Sequence, residues 1–325
     1  MKISINDLIR PIQAEFNTFQ HEFEDMLKSH VFLINQVMKY VVAQKGKKLR
    51  PMLLLLAAKL RGACTADTYR AACLVEALHT ATLVHDDVVD EAETRRGLPS
   101  INSIWRNKVS VLIGDYLFSK ALINMVHIGN PQLLHLLSET SDRLVTGEID
   151  QIDRARSDTM TEDAYFRMID DKTASLLAAG CQMGMMTTSS EEKDWKALRD
   201  YGHNFGIAFQ LKDDLFDFEG REASVGKPIG LDLKHNMVTL PLIHTFSQID
   251  KQERKRIKRA LSKGKDKTNQ KMVLELVQRT GGLEHAKQRL REFSDRAIHS
   301  LDHFPDSPAK HSLTQFVEFN IQREK

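Results

Sequence analysis

Apolar positions recur three and four residues apart along most of the chain, over residues 51–62, 70–90, 108–127, 131–153, 173–188, 194–219 and 269–302. That spacing lays them on one face of a helix, and alternating strand patterns are missing. Breakers punctuate the pattern at Gly97 with Pro99, Gly129 to Pro131, Gly220, Gly226 to Gly230, and Gly281 with Gly282. The pattern predicts an all-α bundle of about a dozen helices, with any site between facing helices. No Pro/Gly/Ser-rich linker interrupts it, so the 325 residues read as a single domain, 1–325.

One apolar run ends strangely. In LVHDDVVDEAETRR (83–96), Asp86, Asp87 and Asp90 fall at i, i+1 and i+4 and share a broad helical face, where like charges repel. A cation would relieve them, and ligation by oxygen alone points to Mg2+ or a similar hard ion. FQLKDDLFDFEG (209–220) repeats the spacing with Asp213, Asp214 and Asp217, again closing a largely apolar run. Several Mg2+ ions among six acids call for an anion between them, and a diphosphate fits. Arg95 and Arg96 after the first cluster and Lys227 after the second suit the same anion.

A third element, GKKLRP (46–51), sets cations at the start of the helix that continues into LLLLAAKL. Beside the two acidic clusters it reads as a second, metal-free phosphate pocket. Composition adds limits: 42% hydrophobic and 28% charged residues describe an ordinary globular chain, and a net charge of +2 gives no argument for nucleic acid. KQERKRIKRALSKGKDK (251–267) is basic but has few apolar anchors and no aromatic, so it reads as a solvated helix. Cys64, Cys73 and Cys181 form no even framework and no CxxC pair. The N-terminus lacks a signal pattern, and no stretch reads as long and apolar enough to span a bilayer, so a cytoplasmic location is expected.

GKKLRP, LVHDDVVDEAETRRG, DKTASL, FQLKDDLFD and GKPIGLDLKHNMVTLPLI together resemble, in order and spacing, the trans-isoprenyl diphosphate synthases, also called polyprenyl synthetases. The resemblance covers nearly the whole chain, down to FVEFNIQREK at the C-terminal end. It implies helices around a central apolar cavity, and three Mg2+ held by Asp86, Asp87, Asp90 and Asp213, with Asp214 and Asp217 directly or through water. Arg95, Lys172, Thr173, Gln210 and Lys227 would contact an allylic diphosphate, and Lys47, Arg50, His79 and Arg96 would cradle isopentenyl diphosphate. Lys172 and Lys227 would join the aspartates in catalysis. A homodimer is implied too, with no nucleic acid and at most transient membrane contact as product leaves.

The implied chemistry is ionisation of the allylic C–O bond, attack by the double bond of isopentenyl diphosphate, and proton loss to the departing diphosphate. Ala81 and Thr82, one turn before the first acids, are small where a bulky aromatic stops the chain early in the family, which implies a product beyond C20. One departure stands out: Asn236 and Met237 replace the usual Gly-Lys, and Lys234 is the obvious substitute cation. His85 reads as a packing residue, the methionines of 183–186 as core, and Asp170 and Asp171 as solvated. Three rival classes explain less. An all-α phosphohydrolase using His-Asp chemistry leaves GKKLRP idle, a non-catalytic partner subunit would have lost an acidic cluster, and a terpene cyclase needs only one diphosphate site.

Overall fold

Helices dominate, as the apolar spacing predicts. The structure, a computed structural model, describes residues 4–44, 46–157, 160–219, 238–262 and 267–323. Its backbone divides into two compact units, each assembled from separate stretches of chain. One comprises Met1–Glu139, Leu176–Arg199 and His303–Leu313; the other comprises Thr140–Ser175, Asp200–Asp302 and Thr314–Lys325.

In the first unit the organising element is the Ala66–Val89 helix. Ala71, Ala72, Cys73, Leu74, Val75, Ala77 and Leu78 are all buried, so the helix is apolar nearly all round, as a core helix must be. It starts at Thr65, whose side chain and that of Thr68 cap each other's backbone, and ends at Asp90, where Glu91 turns to φ 50°. The helices Gln13–Met26, Leu49–Lys59 and Ile101–Ile128 pack on it. The Leu49–Lys59 helix accepts Pro51 without loss because a first-turn N–H has no intrahelical partner. Gly184 is dictated by close approach, since a Cβ there would meet the Leu54 backbone. Its neighbours Met183 and Met185 are core, as read from the sequence.

The second unit has two apolar clusters. One joins Tyr165, Ile169, Ala174, Ile207, Leu211, Leu240 and Leu290; the other joins Phe218, Leu242, Phe246, Ile257, Val273 and Val277. The helix Glu162–Ile169 runs into a π-helical turn, Asp170–Ala174. The Lys251–Ser262 helix buries Ile257 and Ala260 and lays Arg254 and Lys258 over the Phe246 ring at 5.1 and 5.5 Å, while Lys251, Lys255, Arg256 and Arg259 are exposed.

Residues 269–302 split at the Gly281–Gly282 breaker, as the sequence predicts, into Lys267–Arg279 and Gly282–His299, with Gly281 at φ 75° between them. Two expectations need correction. A short antiparallel ladder exists, Thr94–Arg95 with Leu98–Pro99, too brief for periodicity to show. Finally, Ile101–Ile128 is long and apolar enough to cross a membrane, with a mean hydropathy of 1.4 over its most apolar 18 residues. Its charges, Arg106, Lys108, Asp115 and Lys120, are spread widely enough to leave such a window.

Candidate active site

The acids of the first cluster sit at the end of the Ala66–Val89 helix and have three different environments. Asp90 is exposed at the C-cap, Asp86 is half-buried, and Asp87 is 3% exposed. Burial pushes the Asp87 carboxyl up, and Arg95, whose Nε donates to Asp87 Oδ1 at 2.7 Å, draws it part of the way back. Arg95 reaches it because Arg96 (φ 52°) and Gly97 (φ 78°) make a two-residue hairpin turn with both central residues in the left-handed region. Tyr40 holds that turn in place, donating to Pro99 O at 2.7 Å.

The same turn aims Arg96 at the GKKLRP loop. Its guanidinium packs on Gly46, where any side chain would collide with it. Between them lies a pocket lined by Lys48, Glu76, His79, Thr80, Asp87, Arg95 and Arg96, among others. Arg50 sits behind it, with Nη1 donating to His79 Nε2 at 2.9 Å. Burial and the surrounding arginines hold the His79 imidazole well below its usual pKa, so the ring is neutral and can accept. Burial also pulls Arg50 down to about 10, which keeps it cationic at neutral pH, and its Nε has no partner among the described residues. A cation with a spare donor, behind a pocket that Lys48 and Arg96 line, suits an anion, with the Glu76 carboxylate lining the same pocket.

Lys47 is exposed and does not line this pocket; Lys48 does, held by a left-handed backbone (φ 46°) and resting over the Phe23 ring at 4.8 Å. The resemblance assigned the cradle to Lys47, whereas the structure sets its neighbour Lys48 at the pocket. Ala81 is 2% exposed, and Thr82 turns its hydroxyl back on His79 O at 2.8 Å. His85 contacts the Val111 carbonyl at 3.2 Å and fills the space left by Gly114, the packing role expected of it.

In the second unit, Thr173 Oγ1 donates to Gln210 Oε1 at 3.2 Å, and Gln210 Nε2 donates to Asp214 Oδ1 at 2.9 Å. Tyr165 completes the chain, with its hydroxyl on Asp214 Oδ2 at 2.6 Å. Asp214 is 5% exposed and both of its oxygens are engaged, whereas Asp213 is 40% exposed and pairs with Arg323 at 2.6 Å. Lys172 pairs with Glu148 at 2.6 Å and reaches Gln151 at 3.2 Å.

The expectation that Asp170 and Asp171 are solvated is wrong: Arg143 bridges both, at 2.8 and 2.7 Å, and His203 approaches Asp170 at 3.2 Å. These pairs pin the π turn that presents Lys172 and Thr173. Tyr165, Arg143 and Arg323 carry no local motif and escape a reading of the sequence. Lys227, Lys234, Asn236 and Met237 lie outside the described residues, as does the side chain of Asp217.

The polyprenyl synthetase family matches residues 31–279. The chain belongs to that family. As a polyprenyl synthetase it is a prenyltransferase, and family members use divalent metal ions. It is 36% identical over 301 residues to the octaprenyl diphosphate synthase of Escherichia coli K12, with 93% of each chain covered. Among solved structures, a decaprenyl diphosphate synthase from Rhodobacter capsulatus superposes with a TM-score of 0.93 at 34% identity, covering 99% of this chain and all of that one. A polyprenyl synthase from Caulobacter crescentus CB15, crystallised with calcium and isoprenyl diphosphate, superposes at 0.90 with 32% identity, covering 100% and 99%.

The acids fit a hard divalent cation by their chemistry, since every donor is a carboxylate oxygen. Among the described residues no three acid, His or Cys side chains converge on one point. Positive charge reaches the buried Asp87 and the half-exposed Asp213 through arginines instead.

Proposed function

We propose that this polyprenyl synthetase extends an allylic diphosphate by successive isopentenyl diphosphate units to an all-trans product longer than C20, of the octaprenyl kind. The observation that carries the two-substrate reading is the half-buried Arg50–His79 pair, with the Arg50 Nε buried and unpartnered among the described residues, behind the pocket that Lys48 and Arg96 line. A phosphohydrolase or a cyclase has no use for that metal-free anion receptor. The long-chain relatives support the product length, and so does small, buried Ala81.

In this reading Asp86, Asp87 and Asp90 would hold Mg2+, as would Asp213, with Asp214 and Asp217 directly or through water, three ions in all. Bound Mg2+ neutralises the charge that develops on the departing allylic diphosphate. Lys172, Thr173, Gln210, Arg95 and Lys227 orient that diphosphate, while Arg50, His79 and Arg96, with Lys47 or Lys48, hold isopentenyl diphosphate. Apolar helices exclude the water that would quench the allylic cation, and the released diphosphate takes the final proton. Incubation with Mg2+, farnesyl diphosphate and isopentenyl diphosphate, followed by mass spectrometry, tests it. Products beyond C20 are expected; a C15 product or release of phosphate without condensation refutes the reading.

The Ile101–Ile128 helix supports a homodimer. Beyond the break at Arg106 (φ 67°, ψ 163°), Val111, Leu112, Phe118, Leu122 and Val126 are exposed along one side of it, Leu112 at 59% and Val126 at 73%. An exposed apolar stripe on a helix seeks another apolar surface, and a second copy supplies the same stripe by two-fold symmetry. Sedimentation should give twice the 37.1 kDa chain mass, and Leu112→Glu with Val126→Glu should give monomers. A wild-type monomer, or a chain that needs detergent to stay dispersed, overturns this pairing. The location is cytoplasmic in this reading, with lipid met only at product release; recovery of the chain in the membrane fraction argues against it.

A further inference from the structure

The guanidinium of Arg323 is only 7% exposed and is held on every side within the second unit. It lies over the Phe209 and Phe216 rings, 4.2 and 5.1 Å from their centroids. Its Nε donates to Asn320 Oδ1 at 2.9 Å, and Nη2 donates to the Phe209 carbonyl at 3.0 Å while pairing with Asp213 Oδ1 at 2.6 Å. Asn320 is itself buried and donates to Ala208 O at 3.1 Å. Phe209 and Phe216 flank Asp213 on its own helix, four residues before it and three after. Most of what fixes the arginine therefore does not involve the acid.

We propose that Arg323 is the positioning residue of the second Asp cluster, fixing the Asp213 carboxylate in the orientation that takes a divalent cation. A carboxylate offers about four lone-pair sites, and the hydrogen bond from Arg323 occupies only one of them, on Oδ1. Carboxylates that ligate metals are themselves hydrogen-bonded, and removing such an outer partner costs about ten- to a hundred-fold in metal affinity. Arg323 suits the task better than a lysine would, because its planar fork serves the Asn320 side chain, a backbone carbonyl and the acid together while its face stacks on the two rings. The pairing also gives a negative cluster a fixed counter-charge before any metal arrives. This inference rests on the metal role proposed for Asp213.

The test is Mn2+ binding by the full chain with inorganic pyrophosphate present, followed by electron paramagnetic resonance, alongside melting temperatures. Arg323→Gln is expected to weaken Mn2+ binding about ten- to a hundred-fold, and Arg323→Lys to fall between it and wild type, because charge alone restores part of the hold. Asp213→Asn, measured in parallel, is expected to lose the same Mn2+ binding. Wild-type affinity in folded Arg323→Gln, with binding lost in Asp213→Asn, overturns the positioning role alone. Wild-type affinity in both variants overturns the metal role of Asp213. Tighter binding in Arg323→Gln also overturns the proposal, since Arg323 would then compete with the metal. Should Arg323→Gln fail to fold, Arg323→Lys decides: weakened binding supports the positioning role, and wild-type affinity overturns it.

Discussion

Gly46→Ala separates binding from stability at one atom. The new Cβ would lie 2.8 Å from Arg96 Cζ and closer still to Nη1, so the guanidinium must leave its place beside the GKKLRP loop. The arginine end is flexible and the hairpin behind it is not, so the side chain swings away and the fold stays. A charge-assisted hydrogen bond is worth about 1.5–3 kcal/mol, which is roughly ten- to over a hundred-fold in affinity. The KM for isopentenyl diphosphate should rise by about that factor, with the KM for the allylic substrate much less affected. Stability should hold or increase slightly, because alanine narrows the unfolded ensemble by about 0.4–1 kcal/mol. Initial-rate kinetics with each substrate varied in turn, plus a thermal melt, check both halves. An unchanged KM for isopentenyl diphosphate, or a rise confined to the allylic substrate, would refute the assignment of Arg96 to the isopentenyl site.

Ala81→Phe should shorten the product, as mass spectrometry of the chain-length distribution would show; an unchanged distribution removes Ala81 from the path of the growing tail. Met237→Lys should lower the allylic KM about ten-fold or more by restoring a charge-assisted contact, and Lys234→Ala should raise it; no change in either folded variant removes these two residues from the diphosphate. Asp194, 1% exposed and bonded to Arg61 at 2.7 and 2.8 Å and to His303 at 3.0 Å, is held at about 2 against an ordinary 3.8. A depressed carboxylate stabilises above its unfolded pKa, so about 2 kcal/mol should be present above pH 5 and disappear as pH falls toward 2. Melts of wild type and Asp194→Asn across that range should converge at the acid end; a constant gap would deny the linkage.

Periodicity revealed the helices because each must bury a stripe, and the Ala66–Val89 helix was legible to within a few residues of its ends. The acidic clusters were legible because repulsion between near neighbours on a helix needs a cause within the sequence itself. What stayed hidden depends on partners far along the chain. Arg143 meets Asp170 and Asp171 about 28 residues on, Tyr165 meets Asp214, and Arg323 meets Asp213. None of these pairs leaves a local spacing. The choice between Lys47 and Lys48 was hidden for a different reason, since it hangs on one left-handed residue that has no glycine to announce it. The apolar face of Ile101–Ile128 looked ordinary because a sequence does not say which half of a helix is left uncovered.

The central claim is that both Asp clusters act on the departing allylic diphosphate, and the single-turnover condensation rate of Asp86→Ala and of Asp213→Ala tests it most directly. Each variant should keep the wild-type fold by circular dichroism and lose on the order of a thousand-fold in rate at saturating Mg2+. Near-wild-type turnover in either folded variant would contradict the claim.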